Sequence, residues 1–409
     1  MKYSIILNNE KRIVCGKSIE ESGTHDMLLT ALLAGQATFA LRPSPGCRAG
    51  VALPALDARK RMFTPQDSFN PPDRYFLLSA PTWPPRRTGS STAEGPPPPP
   101  LLLALHGQNG DAEGYAAGHA FANYRVFDGL NGEAPSMVVG WLNGVHDDGV
   151  AGTSGWNAGG NANDDSTCVV GTTNSVCHES CRELNAAKPS CGRCNWAPCY
   201  DDVAYVRDVI ERIAQERCID VDRIYAMGES NGAMMVHHAV PQLPYTFAAF
   251  VPVFGTPLLG YLAGPDYELL TKRAALAEVA VFALHDRLDT IIPWQGGEDT
   301  DGWLYESLNR TIAIWAAVKD CSNGTAVETL QPPTFSPWDR PGDAAASSNM
   351  RYFVHNCSSR IGRGSASDAV ELGFATYDGE HGTWPQDALG ADKLIMRFLA
   401  AHSRNASSR

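Results

Sequence analysis

The sequence predicts an α/β fold. Short, largely apolar runs, typical of buried strands, end in turns rich in Gly, Asp and His. The runs with this pattern cover residues 101–105, 223–227, 279–284 and 370–377. The chain has 409 residues, of which 44% are hydrophobic, so it is long enough for one large domain with a sizeable core.

The segment Gly228-Glu229-Ser230-Asn231-Gly232 lies between one of these strands and a predicted helix. A serine at the tip of such a strand–turn–helix takes a strained backbone that lifts its hydroxyl above the edge of the sheet. Glycines are needed on both sides, because a Cβ there would collide with the strand or the helix. The pattern therefore predicts that Ser230 is a nucleophile.

A carboxylate and a histidine follow Ser230 in the order that a hydrolase with this turn needs. The third apolar run leads into His285-Asp286-Arg287-Leu288-Asp289, and His381 lies on a Gly-rich loop after the fourth. An acid just beyond a strand end can reach a histidine on a neighbouring loop. On this ground both Asp286 and Asp289 are candidates for the acid.

The first apolar run ends in His106-Gly107-Gln108. An oxyanion hole in a hydrolase of this type takes one backbone N–H from the loop after an early strand and one from the residue after the nucleophile. We assign these two donors to Gln108 and Asn231. The alternative is that His106-Gly107 forms a plain turn at a strand end.

These segments, with several others, resemble the secreted α/β-hydrolase esterases of the polyhydroxybutyrate depolymerase/feruloyl esterase group. The resemblance implies a mainly parallel, twisted sheet flanked by helices, with Ser230, His381 and an aspartate as the catalytic residues. It spans roughly residues 74–400, in the family's order. The matching segments are residues 105–107, 155–160, 201–206, 219–225, 228–232, 289–293 and 379–385.

Two positions depart from the family pattern. Asp286 stands where the family usually has Gly, and Glu229 stands within the serine motif where the family usually has another residue. Asp289 matches the family's position for the acid, with Ile291-Ile292-Pro293 just after it. We therefore expect Asp289, rather than Asp286, to be the catalytic acid.

The resemblance implies a serine carboxylic-ester hydrolase that acts on feruloyl or acetyl esters of polysaccharides, with no metal and no organic cofactor. Trp156, Asn157 and Trp384 are candidate walls of the substrate cleft, and packing is their alternative role. A polyhydroxyalkanoate depolymerase is the first alternative activity, although no polymer-binding module is recognisable. A serine peptidase shares the triad, whereas a non-catalytic binding protein of this fold would not need to keep all three residues.

Composition divides the chain into segments. Residues 1–40 form a leader, in which the apolar stretch 27–40 is similar to a signal peptide and a buried helix is the alternative. Residues 41–72 have mixed composition and are expected to pack loosely. Residues 73–402 form the catalytic domain, which carries a Cys-rich insertion over residues 161–200.

The chain has 11 cysteines, and cleavage after Ala40 would remove Cys15 and leave ten that can all pair. Six cysteines lie in the insertion, where either disulfides or a tetrahedral zinc site would fit the spacing. We favour disulfides, because the rest of the chain resembles secreted proteins. We also expect a disulfide between Cys321, after a helix-like run, and Cys357, after a strand-like run. Four N-glycosylation sequons are compatible with export.

The formal net charge of −12 argues against nucleic acid or an anionic membrane as a partner. No apolar run reaches the roughly 18 residues of a membrane-spanning helix. We expect a secreted, extracellular monomer whose partner is its polysaccharide or polyester substrate.

Overall fold

The structure is a computed structural model of the chain. The leader 1–40 and most of the insertion 161–200 lie outside the residues that it describes. The described residues are 42–48, 51–66, 70–82, 98–123, 137–146, 154–159, 180, 198–259, 272–300, 302–321, 326–329, 333, 335, 349–355, 357, 371–384 and 391–404.

Twelve strands occur in the described residues, and ten of them form one sheet. They are β1 (Leu56–Met62), β2 (Tyr75–Ala80), β3 (Leu101–Leu105), β4 (Val138–Leu142), β5 (Ile224–Glu229), β6 (Ala249–Val253), β7 (Ala280–Asp286), β8 (Gly297–Glu298), β9 (Leu304–Tyr305), β10 (Ala326–Thr329), β11 (Arg351–His355) and β12 (Leu372–Tyr377). The order in the large sheet is β1-β2-β4-β3-β5-β6-β7-β12-β11-β10, and β8 pairs with β9 separately.

The centre of the large sheet is parallel and its two margins are antiparallel. All neighbouring pairs from β4 to β12 in this order are parallel. The strands β1 and β2 on one side, and β11 and β10 on the other, pair in antiparallel fashion. The predicted mainly parallel sheet is therefore confirmed.

Helices cover both faces of this sheet. They are α1 (Ala112–Gly118), α2 (Asp202–Glu216), α3 (Asn231–Gln242), α4 (Arg273–Leu276), α5 (Leu308–Lys319) and α6 (Ala391–Ala400). Leu101, Leu103 and Leu105 of β3 belong to a core shared with α2, α3 and α5, whereas Leu102 and Ala104 belong to a core shared with α1 and α6. A strand that is buried along its whole length needs helices on both sides, and β3 is such a strand. Among the described helices, none has the length and apolar character to cross a membrane.

The segment 41–72 is attached to the domain more firmly than its composition suggests. The strand β1 pairs with β2 and forms one edge of the sheet. Cys47 forms a disulfide with Cys218, and the hydroxyl of Ser44 donates to the carbonyl of Arg217 at 2.8 Å. The expectation of loose packing is wrong for these parts. The partners of Ser44 and Cys47 lie 173 and 171 positions away in the chain, and the pairing of β1 with β2 is not evident from the mixed composition of this segment.

Disulfides also occur towards the C-terminus and beside the insertion. Cys321 and Cys357 are bonded, as the sequence predicts, with their Cα atoms 3.8 Å apart. Cys199 is disulfide-bonded as well. The other five cysteines of the insertion lie outside the described residues, so their pairing stays a prediction.

Candidate active site

Ser230 lies in a sharp turn between β5 and α3, with backbone angles φ 51° and ψ −121°. A positive φ is uncommon for a residue with a side chain and marks local strain. A Cβ on Gly228 would lie 2.2 Å from the carbonyl oxygen of Gly232, and a Cβ on Gly232 would lie 2.4 Å from that of Leu105. Close backbone approach therefore requires both glycines, as the motif predicts.

Ser230, His381 and Asp289 form one hydrogen-bonded series. The serine Oγ lies 2.9 Å from Nε2 of His381, and Nδ1 of the same ring lies 2.7 Å from Oδ2 of Asp289. The strands β7 and β12 are neighbours, so the loops that follow them bring Asp289 and His381 together. With its proton on Nδ1, the imidazole donates to Asp289 and can accept the serine proton at Nε2.

The backbone holds the carboxylate of Asp289 from its other side. Its Oδ1 accepts the N–H groups of Ile291 and Ile292, each at 2.8 Å. One oxygen of Asp289 is thus committed to the loop and the other to His381. The spacing of Asp289 to the Ile291-Ile292-Pro293 segment therefore has a structural reason.

Asp286 occupies a different position. It is the last residue of β7, it is completely buried, and its Oδ1 lies 3.6 Å from Nδ1 of His285. Burial raises the pKa of Asp286, because a charged carboxyl is poorly solvated there. Within the described residues, His285, Asp286 and Asp289 bring three possible metal-ligand atoms within 4.8 Å of one another. Oδ2 of Asp289, one of the oxygens available to such an ion, is the atom that lies 2.7 Å from Nδ1 of His381.

Each of the two predicted oxyanion donors is a chain neighbour of a residue at the serine turn. Gln108 follows Gly107, which packs so closely on Ser230 that an added Cβ would lie 3.2 Å from the serine Cβ. Asn231 is the first residue of α3, so its N–H has no acceptor within the helix. The use of these N–H groups as an oxyanion hole stays a prediction.

His106 holds the loop that carries Gln108. Its Nδ1 lies 2.7 Å from the carbonyl oxygen of Gly107, and its Nε2 accepts the N–H of Gly144 at 2.9 Å. Burial lowers the pKa of His106 to about 4, so the ring is neutral at pH 7. One neutral tautomer satisfies both contacts, so the ring of His106 can hold the shape of this loop without carrying a charge.

Glu229 precedes Ser230 and contacts the same loop. Its Oε1 accepts the N–H of Gly107 at 3.4 Å. Burial raises the pKa of Glu229, and the Gly107 contact and the nearby rings of His119 and His381 oppose that rise. The sequence shows Glu229 as a departure from the family pattern, and its contact with the loop emerges from the fold.

Trp156 is enclosed in the fold, whereas Asn157 is half-buried and held by hydrogen bonds. Trp156 is fully buried, and its Nε1 donates to the carbonyl of His106 at 2.8 Å. Asn157 donates its backbone N–H to Asp202 and its side-chain Nδ2 to the carbonyl of Tyr200. The expectation that Trp156 lines the substrate cleft is therefore wrong, because its indole is enclosed behind the loop of His106.

Trp384 keeps a partly exposed position close to His381. Its ring lies edge-to-face with those of Phe254 and His119, with centroids 5.9 Å and 4.6 Å away. Phe254 lies edge-to-face with His381 at 5.5 Å and has a positive φ of 35°. The sequence analysis did not identify Phe254, because an aromatic residue after a buried strand is common in hydrophobic cores and does not by itself indicate a functional site. Trp384 stays a candidate for the cleft.

The strand order, the strained serine turn and the loops that carry Asp289 and His381 define an α/β-hydrolase fold. No protein-family model matches the chain. A stretch of 141 residues is 29% identical to a bifunctional acetylxylan esterase/xylanase of Neocallimastix patriciarum. The match covers 32% of this chain and 20% of that protein, so the chain spans about a fifth of the curated relative.

Solved structures with similar folds include several esterases. An acetyl xylan esterase from Aspergillus awamori aligns with 84% of this chain and 99% of its own, at 14% identity and a TM-score of 0.44. A ferulic acid esterase aligns with 61% of this chain and 81% of its own, at 11% identity and a TM-score of 0.31.

Proposed function

We propose that the protein is a carboxylic-ester hydrolase in which Ser230 is the nucleophile, His381 the general base and Asp289 the residue that orients the imidazole. The observation that carries this proposal is the continuous hydrogen-bonded series from Oγ of Ser230, through both ring nitrogens of His381, to Oδ2 of Asp289. A serine hydroxyl is a weak nucleophile until an oriented base can accept its proton, and this series supplies that base.

The reaction follows from these contacts. Oγ of Ser230 attacks the ester carbonyl carbon while Nε2 of His381 accepts the hydroxyl proton. The imidazolium then gives this proton to the leaving oxygen, and the alcohol departs while the acyl group stays on Oγ. A water molecule then gives a proton to the same Nε2 and attacks the acyl carbonyl. The imidazolium returns this proton to Oγ as the acyl–Oγ bond breaks, which releases the acid and restores the Ser230 hydroxyl. Each attack on the carbonyl carbon passes through a tetrahedral oxyanion, and the N–H groups of Gln108 and Asn231 are proposed to stabilise it. Loss of one such donor typically costs about 3–4 kcal/mol of transition-state stabilisation.

We propose acetyl or feruloyl esters of polysaccharides as the substrates. The local similarity to an enzyme named as a bifunctional acetylxylan esterase/xylanase supports this class. Trp384 is partly exposed and lies edge-to-face with Phe254, which in turn lies edge-to-face with His381, so it offers an aromatic surface near the proposed base. Aromatic surfaces of this kind suit a partner that is apolar on one side and polar on the other.

Secretion is part of the proposal. The disulfides Cys47–Cys218 and Cys321–Cys357 support an oxidising compartment, because disulfides rarely persist in the cytosol. N-terminal sequencing of protein recovered from the native medium tests this, with a start near Leu41 as the expected result. An intact Met1 terminus on a cell-retained, fully reduced protein would contradict it.

The activity is tested with the wild-type chain and Ser230→Ala side by side on acetylated xylan, methyl ferulate, p-nitrophenyl acetate and a hydroxybutyrate oligomer. We expect the wild type to release acetate or ferulate and the variant to release neither, with an unfolding free energy within about 1 kcal/mol of wild type. Release from the hydroxybutyrate oligomer alone would favour a polyester depolymerase instead. Unchanged turnover in Ser230→Ala would refute the assignment of Ser230 as the nucleophile. If the wild type turned over none of these esters, a non-catalytic binding protein would be favoured.

A further inference from the structure

Trp156 connects the two sides of the proposed oxyanion hole. Its backbone N–H donates to Oδ1 of Asn231 at 2.6 Å, and its backbone carbonyl accepts from Nδ2 of the same side chain at 3.1 Å. Its indole Nε1 donates to the carbonyl of His106 at 2.8 Å. Asn231 follows the nucleophile, and His106 begins the loop of Gln108. A single residue is therefore bonded to both segments that carry the proposed donors.

A buried ion pair anchors the segment of Trp156 in turn. The backbone N–H of Asn157 donates to Oδ2 of Asp202 at 2.7 Å, and Oδ1 of Asp202 accepts from Nη1 of Arg74 at 2.6 Å. The side chains of Arg74 and Asp202 are each only 1% exposed. The two oxygens of Asp202 are thus divided between the guanidinium and the backbone of Asn157.

Arg74 itself is held from several directions. Its Nη1 also donates to Oδ1 of Asn70 at 2.8 Å, and its Nη2 donates to the carbonyl of Asn143 at 3.3 Å. Its guanidinium lies over the ring of Tyr205, 3.5 Å from the centroid. These contacts leave the Arg74 side chain few alternative positions. Arg74 therefore holds Asp202 in place, and Asp202 holds the backbone of Asn157.

We propose that Arg74 and Asp202 are positioning residues for the oxyanion hole, acting through the segment Trp156-Asn157 on Asn231 and on the loop of His106. This inference rests on the proposed function. Breaking a buried ion pair leaves a charge unpaired, whereas well-packed apolar residues can replace such a pair at little cost in stability, so stability alone does not explain its presence. A positioning role explains the presence of the pair, because Asp202, held by Arg74, fixes where the backbone of Asn157 lies.

The inference predicts a specific kinetic defect. Oxyanion donors act on the transition state far more than on the bound ester, so displacing them lowers kcat and leaves KM nearly unchanged. A displacement of about 1 Å can cost on the order of 100-fold in rate. We therefore expect Asp202→Asn to lower kcat for p-nitrophenyl acetate by about 10-fold to 100-fold, with KM within about twofold of wild type.

A matched control exists at the other end of β5. Asp220 and Arg223 also form an ion pair, with Oδ2 of Asp220 2.8 Å from Nε of Arg223 and the Asp220 side chain 1% exposed. Asp220→Asn breaks this pair away from Ser230, so it should lower stability without selective loss of kcat. The second readout is the inhibition constant of a trifluoromethyl ketone, which forms a tetrahedral oxyanion on Ser230. It should rise in Asp202→Asn by the same factor as kcat falls, and it should not change in Asp220→Asn.

Asn231→Ala provides a second variant in case Asp202→Asn does not fold. It keeps the backbone N–H of residue 231 and removes both contacts with Trp156, so the same kcat and inhibitor losses are expected. Two outcomes would overturn the positioning proposal and leave the proposed function intact. In the first, Asp202→Asn folds and has the same kinetics as Asp220→Asn. In the second, Asn231→Ala folds and keeps the wild-type kcat. A wild-type chain with no hydrolysis at all would overturn both this inference and the proposed function.

Discussion

Asp289→Asn is the most discriminating single substitution at the candidate site. The native carboxylate divides its oxygens, because Oδ1 accepts the N–H groups of Ile291 and Ile292 while Oδ2 accepts Nδ1–H of His381. The asparagine carbonyl must remain on the side of the two N–H donors, since an amide NH2 there would face two donors. The NH2 group is therefore forced towards His381.

An NH2 group in that position reverses the hydrogen bond to the imidazole. Nδ1 of His381 must become the acceptor, so the ring proton moves to Nε2 and the ring can no longer accept the proton of Ser230. In serine hydrolases the corresponding change lowers kcat by about 10⁴, which is roughly 5 kcal/mol of transition-state stabilisation. Because the loop contacts on Oδ1 survive, we expect the fold to persist.

The assay is kcat and KM on p-nitrophenyl acetate for wild type, Asp289→Asn and Asp286→Asn. Asp286→Asn is the matched control, since it makes the same chemical change three residues earlier, at a carboxyl that lies beside His285. We expect Asp286→Asn to keep kcat within about tenfold of wild type. Retention of more than about a tenth of the wild-type rate by Asp289→Asn, or an equal loss in both variants, would refute the assignment.

Three further predictions concern stability. Asp286 has a raised pKa in the folded state, so its contribution to stability is fully present below its unfolded value of about 3.9 and is lost as pH rises through the folded value. Urea unfolding should therefore show that the unfolding free energy of wild type falls relative to that of Asp286→Asn as the pH rises above about 4, and a constant difference would contradict this. His106 has a pKa lowered to about 4, so its contribution is present above about 6.5 and is lost as pH falls towards 4. Wild type should therefore lose on the order of 3 kcal/mol more than His106→Asn over that range, and parallel pH curves would count against it. Replacing Cys321 and Cys357 together by Ala should lower the unfolding free energy by about 3–4 kcal/mol, because the bond closes a separation of 36 residues, and an unchanged urea midpoint would speak against that contribution.

The local features of the fold follow from the sequence. Continuous apolar runs predict β3, β5, β7 and β12, because a strand buried on both faces must be apolar along its length. The turn at Ser230 is predicted for a steric reason, since its flanking glycines approach backbone atoms too closely for a Cβ. The chain order of Ser230, Asp289 and His381 then predicts that the loops after β7 and β12 come together at the serine turn.

The choice of acid shows where the sequence argument is weaker. Asp286 and Asp289 follow the same strand, and composition does not separate them. The resemblance to known esterases favoured Asp289, and the hydrogen bond to His381 is made by this residue in the structure. The reason is tertiary, because Asp286 ends β7 among buried groups while Asp289 lies on the loop that faces the end of β12.

The sequence by itself determined four strands of the parallel centre (β3, β5, β7 and β12), the strained turn at Ser230 and the chain order of Ser230, Asp289 and His381. These features depend on local sterics and on runs of apolar residues. The tertiary structure decided that Trp156 is enclosed, that β1 joins the sheet, and that Arg74 meets Asp202. Arg74 and Asp202 are 128 positions apart in the chain. The pairing of β1 with β2 and the covering of Trp156 likewise depend on contacts that no local pattern of residues specifies. A tryptophan followed by an asparagine gives the same sequence pattern whether it lines an open cleft or is buried beneath a loop. Only the packing around the residue distinguishes the two cases.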